Sequence, residues 1–116
     1  MVVELEERIP GQIAIVYCTD QYLKTVNQQY LKREYFTDVI TFDYSNENII
    51  SGDIMISIDR VRDNAEKFNT SFKDELDRVM LHGILHLIGY NDSNSQEVET
   101  MRGKEDYYLE LRNISS

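Results

Sequence analysis

The 116-residue chain sets 21 acidic against 12 basic side chains, for a formal charge of −9, and is 41% hydrophobic with a single proline. That size predicts one domain over residues 1–116, large enough for a real core and too small for two, and no window approaches the roughly 20 apolar residues of a membrane span. So acidic a balance repels a phosphate backbone on average, which excludes a general nucleic-acid binder that works through many lysine and arginine contacts. A nucleic-acid role would need a local basic patch, a bound cation or a partner assembly.

The opening segment MVVELEERIP carries charges early and has no apolar h-region, so it does not read as a signal peptide. Cys18 stands alone, which excludes an internal disulfide and suits a reducing compartment. A cytoplasmic location is the expectation.

In chain order, QIAIVYC (12–18) follows Pro10-Gly11, is β-branched and aromatic, and predicts a buried strand. Asp20 is placed to cap a helix over 21–31, with Leu23, Val26, Asn27 and Tyr30 on one face. DVITFDY (38–44) alternates Val39, Thr41 and Asp43 against Ile40, Phe42 and Tyr44, the period of a strand. After the polar turn SNEN, GDIMIS (52–57) predicts a third strand, paired antiparallel with the second. A helix follows from Asp59 to Phe68.

From Phe72, the spacing of Leu76, Val79, Met80, Gly83 and Leu87 marks a long helix that becomes apolar on nearly all sides after Val79, the mark of a central element. Gly89 is placed to end it. A charged helix over 95–111 is expected to pack through Val98, Met101, Tyr108 and Leu111. The class is α+β: a small mixed β-sheet packed against helices, with a central helix carrying an H-x-x-x-H pair.

That pair, His82 and His86, is the chain's whole histidine complement. At 3.6 residues per turn, positions i and i+4 differ by only about 40°, so both imidazoles project from one face and can share a divalent ion. A third protein ligand has to come from outside the helix. Asp92 lies six residues past His86, beyond the Gly89 exit, and can fold back with a carboxylate. In the polar run NDSNS it can equally cap the next helix. Two histidines and an aspartate accept zinc and also widen the choice to iron, manganese or nickel. In H-E-x-x-H peptidases the residue after the first histidine is the general base; here it is Gly83, which has no side chain, so the peptidase reading is weak.

HGILHLIGYND resembles the H-G-x-L-H-L-x-G-Y-D-H signature of the YbeY family, bacterial rRNA maturation factors regarded as metal-dependent single-strand endoribonucleases. NQQYLKREYFTDVITF (27–42) resembles the family's N-x-x-Y-R-x-x-D-x-P-T-D-V-L-S-F, SGDIMIS its L-G-D-I-x-I-S strand, and MRGKE (101–105) its M-x-x-x-E. The likeness covers about residues 12–110 and implies metal ligands at His82, His86 and Asp92, the last standing where the family has a third histidine. An anionic ligand there donates charge to the ion, so water on it would be less acidic than in a three-histidine site.

The family's arginine after N-x-x-Y, thought to serve the RNA phosphate, is Leu31 here; Lys32 and Arg33 follow and are the candidate catalytic cations, with Arg60 and Arg62 as alternatives. Phe36 replaces the family's proline. Relatives usually carry a further strand and helix ahead of the strand at Gln12, which would leave a sheet edge exposed here.

Asp38 and Asp53 could accept hydrogen bonds from the histidines, or simply sit at strand ends. Tyr30, Tyr35, Tyr107 and Tyr108 could stack bases, although packing is the commoner use of tyrosine. Cys18 reads as packing.

The resemblance thus implies a zinc-dependent endoribonuclease that cleaves single-stranded RNA, rather than DNA or a membrane substrate, in rRNA maturation and ribosome quality control. Ribosomal proteins are candidate partners. No general base is evident, which predicts slow turnover. The rival is a non-catalytic ribosome-assembly module whose metal is structural, with Leu31 marking lost activity.

Overall fold

A computed structural model describes residues 2–31 and 37–115. Its elements are α1 (Val2–Leu5), β1 (Ile9–Cys18), α2 (Asp20–Leu31), β2 (Val39–Asp43), β3 (Ile49–Ser57), α3 (Ile58–Lys67), α4 (Phe72–Ile88) and α5 (Ser95–Ser115). Among the described residues one sheet forms in the order β1-β3-β2, with β1 parallel and β2 antiparallel to the central β3. The expected α+β class and the antiparallel pairing of the second and third strands are both present.

The period of two in β3 sorts its side chains between two cores. Ile50, Ile54 and Ile56 point to one face and pack with Val61, Val79, Leu87 and Ile88 from α3 and α4. On the other face Met55 packs under Leu23 and Val26 of α2, beside Ile40. The sheet is thus sandwiched, and α4 lies along it at the centre of the molecule. A third cluster, Leu81, Leu85, Met101 and Tyr108, joins the far side of α4 to α5.

Four local expectations change. The segment 12–18 predicts a buried strand, but β1 is an edge strand with Val16 40% and Tyr17 52% exposed. Among the described residues it pairs only with β3; Ile13 and Ile15 cover one face, and on the other Cys18 packs against the cluster of Leu23, Val26 and Ile40. Pro10 and Gly11 lie inside the strand, where the register shifts, rather than before it.

Asp20 is not the cap of α2. Thr19 Oγ1 accepts the Tyr22 N–H at 3.2 Å, while Asp20 accepts Ser57 Oγ at 3.2 Å and Arg60 Nε at 3.1 Å. On α2, Leu23, Val26 and Asn27 are buried as expected, but Tyr30 is 67% exposed and stands in a T-shaped contact with Phe42.

Close approach of α4 to β3 depends on Gly83. A Cβ there would stand 2.7 Å from Ile54 Cγ2, inside the van der Waals limit and against a fully buried side chain. Gly83→Ala is therefore expected to destabilise the protein by about 1–2 kcal/mol, the overpacking cost exceeding the helix-propensity gain of alanine. Denaturant melting against wild type checks this; equal or higher stability would show that Ile54 yields freely.

Candidate metal centre

His82 and His86 both lie on α4, one turn apart, with ring centroids 4.6 Å apart. The helix ends at Gly89, whose φ of +120° would strain any other residue; its N–H reaches His86 O and Leu85 O, and the Tyr90 N–H also reaches Leu85 O. The chain reverses there and brings Asp92 back over the helix. Asn94, not Asp92, caps α5, with Asn94 Oδ1 accepting the Glu97 N–H at 2.8 Å. Asp92 is left facing the histidines.

The reversal is pinned from the other end of the chain. Glu6, just past α1, accepts Tyr90 Oη at 2.5 Å, Lys104 Nζ at 3.0 Å and Tyr108 Oη. Burial alone would raise the Glu6 pKa, but Tyr108, Tyr90 and Lys104 together hold it below the usual carboxylate value. One carboxylate thereby ties the N-terminal segment, the turn before Asp92 and α5 into a single unit.

His82 Nε2, His86 Nε2 and Asp92 Oδ2 form a triangle with sides of 3.0, 3.3 and 3.5 Å. A tetrahedral ion bound at about 2.0–2.1 Å holds neighbouring donors roughly 3.3–3.4 Å apart, so the triangle fits one face of such a site. These three residues could hold a metal ion. The donor chemistry agrees, because two imidazole nitrogens and a carboxylate oxygen lie within 4.8 Å of one another, and a cation among them would satisfy all three.

What sequence reasoning missed is the support beneath this triangle. His82 Nδ1 lies 2.7 Å from Glu105 Oε2. Glu105 is 6% exposed, and its other oxygen accepts Arg78 Nη1 at 2.8 Å; Arg78 Nη2 reaches Asp106 at 2.7 Å. An ion-paired carboxylate has no proton to give, so Nδ1–H of His82 donates and Nε2 presents its lone pair to the triangle. Burial pulls the His82 pKa down, but Glu105, Asp92 and Asp38 outweigh it, and the net shift is upward. The MRGKE likeness marked Glu105, but nothing in its spacing named His82 as its partner.

The other candidates separate. Asp53 accepts Tyr44 Oη at 3.3 Å and takes no part. Asp38 lines a cleft of about 730 Å³ shared with His82, Asp92 and Glu105. Burial raises its pKa, against the pull of His82, and burial together with the charge of Asp38 raises that of Glu75 in the same cleft. Both carboxyls therefore protonate more readily than free ones, which softens an otherwise acidic cavity.

Arg60 is held by Asp20, and Arg62 stands 5.6 Å from the Phe72 ring centroid; among the described residues the cations lining the cleft are instead Arg78, Arg102 and Arg112. Lys32, Arg33 and Tyr35 lie outside the described residues. Tyr108 is buried on Glu6, and Tyr107 is 57% exposed but away from this cleft. Cys18 donates to Ile56 O at 3.4 Å, and burial raises its thiol pKa, as packing requires. Gly83 faces Ile54 on β3, so no side chain at that position could serve the histidines as a base.

Fold and site together define a small α+β protein that groups two helical histidines with a returning aspartate, His82 and Asp92 among them lining a cleft. The sequence profile described as Endoribonuclease YbeY matches residues 2–113, and the chain belongs to that family. A Flavobacterium johnsoniae protein named Endoribonuclease YbeY is 50% identical over 113 residues, 97% of this chain and 81% of the relative. A Bacteroides fragilis protein of the same name is 48% identical over 107 residues, 92% and 76% of the two chains. The solution structure of TM1509 from Thermotoga maritima superposes with a TM-score of 0.66 at 32% identity, covering 94% of this chain and 72% of that one. No helix among the described residues is long and apolar enough to cross a membrane.

Proposed function

We propose that this chain is a metal-dependent single-strand endoribonuclease acting in rRNA maturation and ribosome quality control, with residues 1–116 forming one hydrolase domain in the cytoplasm. The observation that carries the reading is the ligand triangle of His82, His86 and Asp92, of which His82 and Asp92 line a cleft that also holds arginines. The name Endoribonuclease YbeY of the relatives supplies the substrate class.

His82, His86 and Asp92 would hold a divalent ion, zinc being the first choice, which when bound would supply Lewis acidity for activating water and for drawing charge from phosphoryl oxygens. The chain's own part is positional. Glu105 fixes the tautomer of His82, Arg78 fixes Glu105, and the Glu6 cluster fixes the turn that carries Asp92. Asp92 adds negative charge where a histidine would add none, which would favour retention of a cation between it and the two imidazoles. Cations in or beside the cleft stabilise charge on the phosphate undergoing attack; Lys32 and Arg33 remain candidates alongside the arginines of the cleft.

The test is single-stranded RNA cleavage by protein of known metal content, with and without chelator. Cleavage that chelator abolishes and zinc restores is the expected result. Metal-dependent melting without any cleavage would favour the assembly module with a structural metal, and wild type that retains no stoichiometric metal would defeat both readings.

A further inference from the structure

The cleft extends well beyond the three ligands. Its floor runs along α4 from Asp74 to His82, about 12 Å at the helical rise of 1.5 Å per residue. The pairings of Arg112 with Asp74 and of Glu105 with Arg78 and His82 show that α5 runs antiparallel to α4 along one wall. Arg102, one turn before Glu105, is therefore level with His82. It is exposed and forms no ion pair or hydrogen bond among the described residues, although its charge acts on Glu75.

The opposite wall begins at the C-terminus of α3. Phe68 caps that helix, lines the cleft near the Asp74 end, and is 61% exposed, a poor position for a ring whose only purpose is packing. Lys67 Nζ stands 5.7 Å from its centroid, so the rim combines an aromatic face with a cation. Bases stack on exposed rings whatever their sequence, while nearby cations track the backbone, and that combination is how single strands are held. A duplex offers no free base face to such a ring.

We propose that the cleft is a single-strand RNA track in which Phe68 stacks a base at the end remote from the histidines and Arg102 binds a backbone phosphate beside them. The proposal rests on the endoribonuclease reading and adds the course of the strand: it runs along α4 between Phe68 and His82. The other two arginines contribute less, because Arg78 and Arg112 are already engaged by carboxylates. Arg102 thereby takes the phosphate-binding part at a chain position unrelated to Leu31.

The experiment measures binding of a fluorescein-labelled single-stranded RNA decamer to zinc-loaded protein by anisotropy over a range of salt. Phe68→Ala is expected to raise Kd about tenfold and Phe68→Tyr to restore it, with zinc content unchanged. On a decamer of abasic nucleotides, wild type and Phe68→Ala should bind alike. Arg102→Ala is expected to raise Kd about fivefold on both decamers and to reduce the salt slope by about one phosphate contact. Affinity within twofold of wild type for either alanine variant, or an equal loss for Phe68→Ala on abasic strands, overturns the track while leaving the nuclease reading intact. Failure of zinc-loaded wild type to bind or cleave any RNA overturns that reading and the track with it.

Discussion

His86→Ala is expected to lower divalent-metal affinity by more than about a hundredfold, beyond the 10–100-fold typical of losing a hydrogen bond behind a ligand, and to end RNA cleavage. Two of the three donors remain, and His82 keeps its bond to Glu105, so the loss isolates ligation from positioning. Asp92→Asn should behave nearly as badly, since an amide oxygen has the same reach as the carboxylate but no charge to hold the ion. Asp92→His should retain metal, because a third imidazole suits zinc, and should act at lower pH than wild type because it withdraws less of the ion's acidity.

The readout that needs no activity is thermal. Ligand that binds only the folded chain adds about 2.7 kcal/mol at one hundred times Kd, roughly 10 °C in Tm for a domain of this length. Wild type should therefore melt higher as zinc is added, and His86→Ala should not. A His86→Ala protein that takes up zinc with wild-type affinity, measured by competition with a chelating dye, would remove the triangle as the metal centre.

Much of this site is legible in the sequence because it is local. The helical spacing of His82 and His86, the apolar run that makes α4 central and the glycine that stops it are all properties of one continuous segment. Asp92 was ambiguous for the same reason: polar turns both cap helices and bind ions, and only the placement of Asn94 at the α5 cap separates the two uses.

The parts that did not show are products of pairing. Whether 12–18 is buried depends on how many neighbours a strand has, which hydrophobicity alone does not encode. The partner of His82 lies 23 residues away on a helix full of charges, where the MRGKE likeness marks Glu105 but not the histidine it meets. Arg78 and Arg102 are hidden in the same way, as ordinary helix-surface cations until α4 and α5 are laid side by side. A network of buried charges is written in tertiary contacts, and single-residue statistics pass over it.

That network carries the second large expected effect. Glu105→Gln keeps an oxygen to accept from His82 Nδ1 but removes the charge that Arg78 grips, and should weaken zinc binding about tenfold; Glu105→Ala removes both and should approach a hundredfold. Loss of stability and loss of orientation are separable by titrating the His82 ring in metal-free protein by NMR. In wild type its pKa lies above the ordinary 6.5, because Glu105, Asp92 and Asp38 overcome the effect of burial.

The corresponding stability is fully present below pH 6.5 and is lost as pH rises through the higher folded value. Both Glu105 variants should move that titration downward and shrink this pH-dependent share of stability, Glu105→Ala more than Glu105→Gln. A purely structural glutamate would lower Tm at every pH and leave the His82 titration where it was. An unshifted His82 with normal zinc affinity in Glu105→Ala would mean that the 2.7 Å contact does not govern the ligand. Movement of both quantities together would make Glu105 the residue through which α5 controls the metal centre on α4.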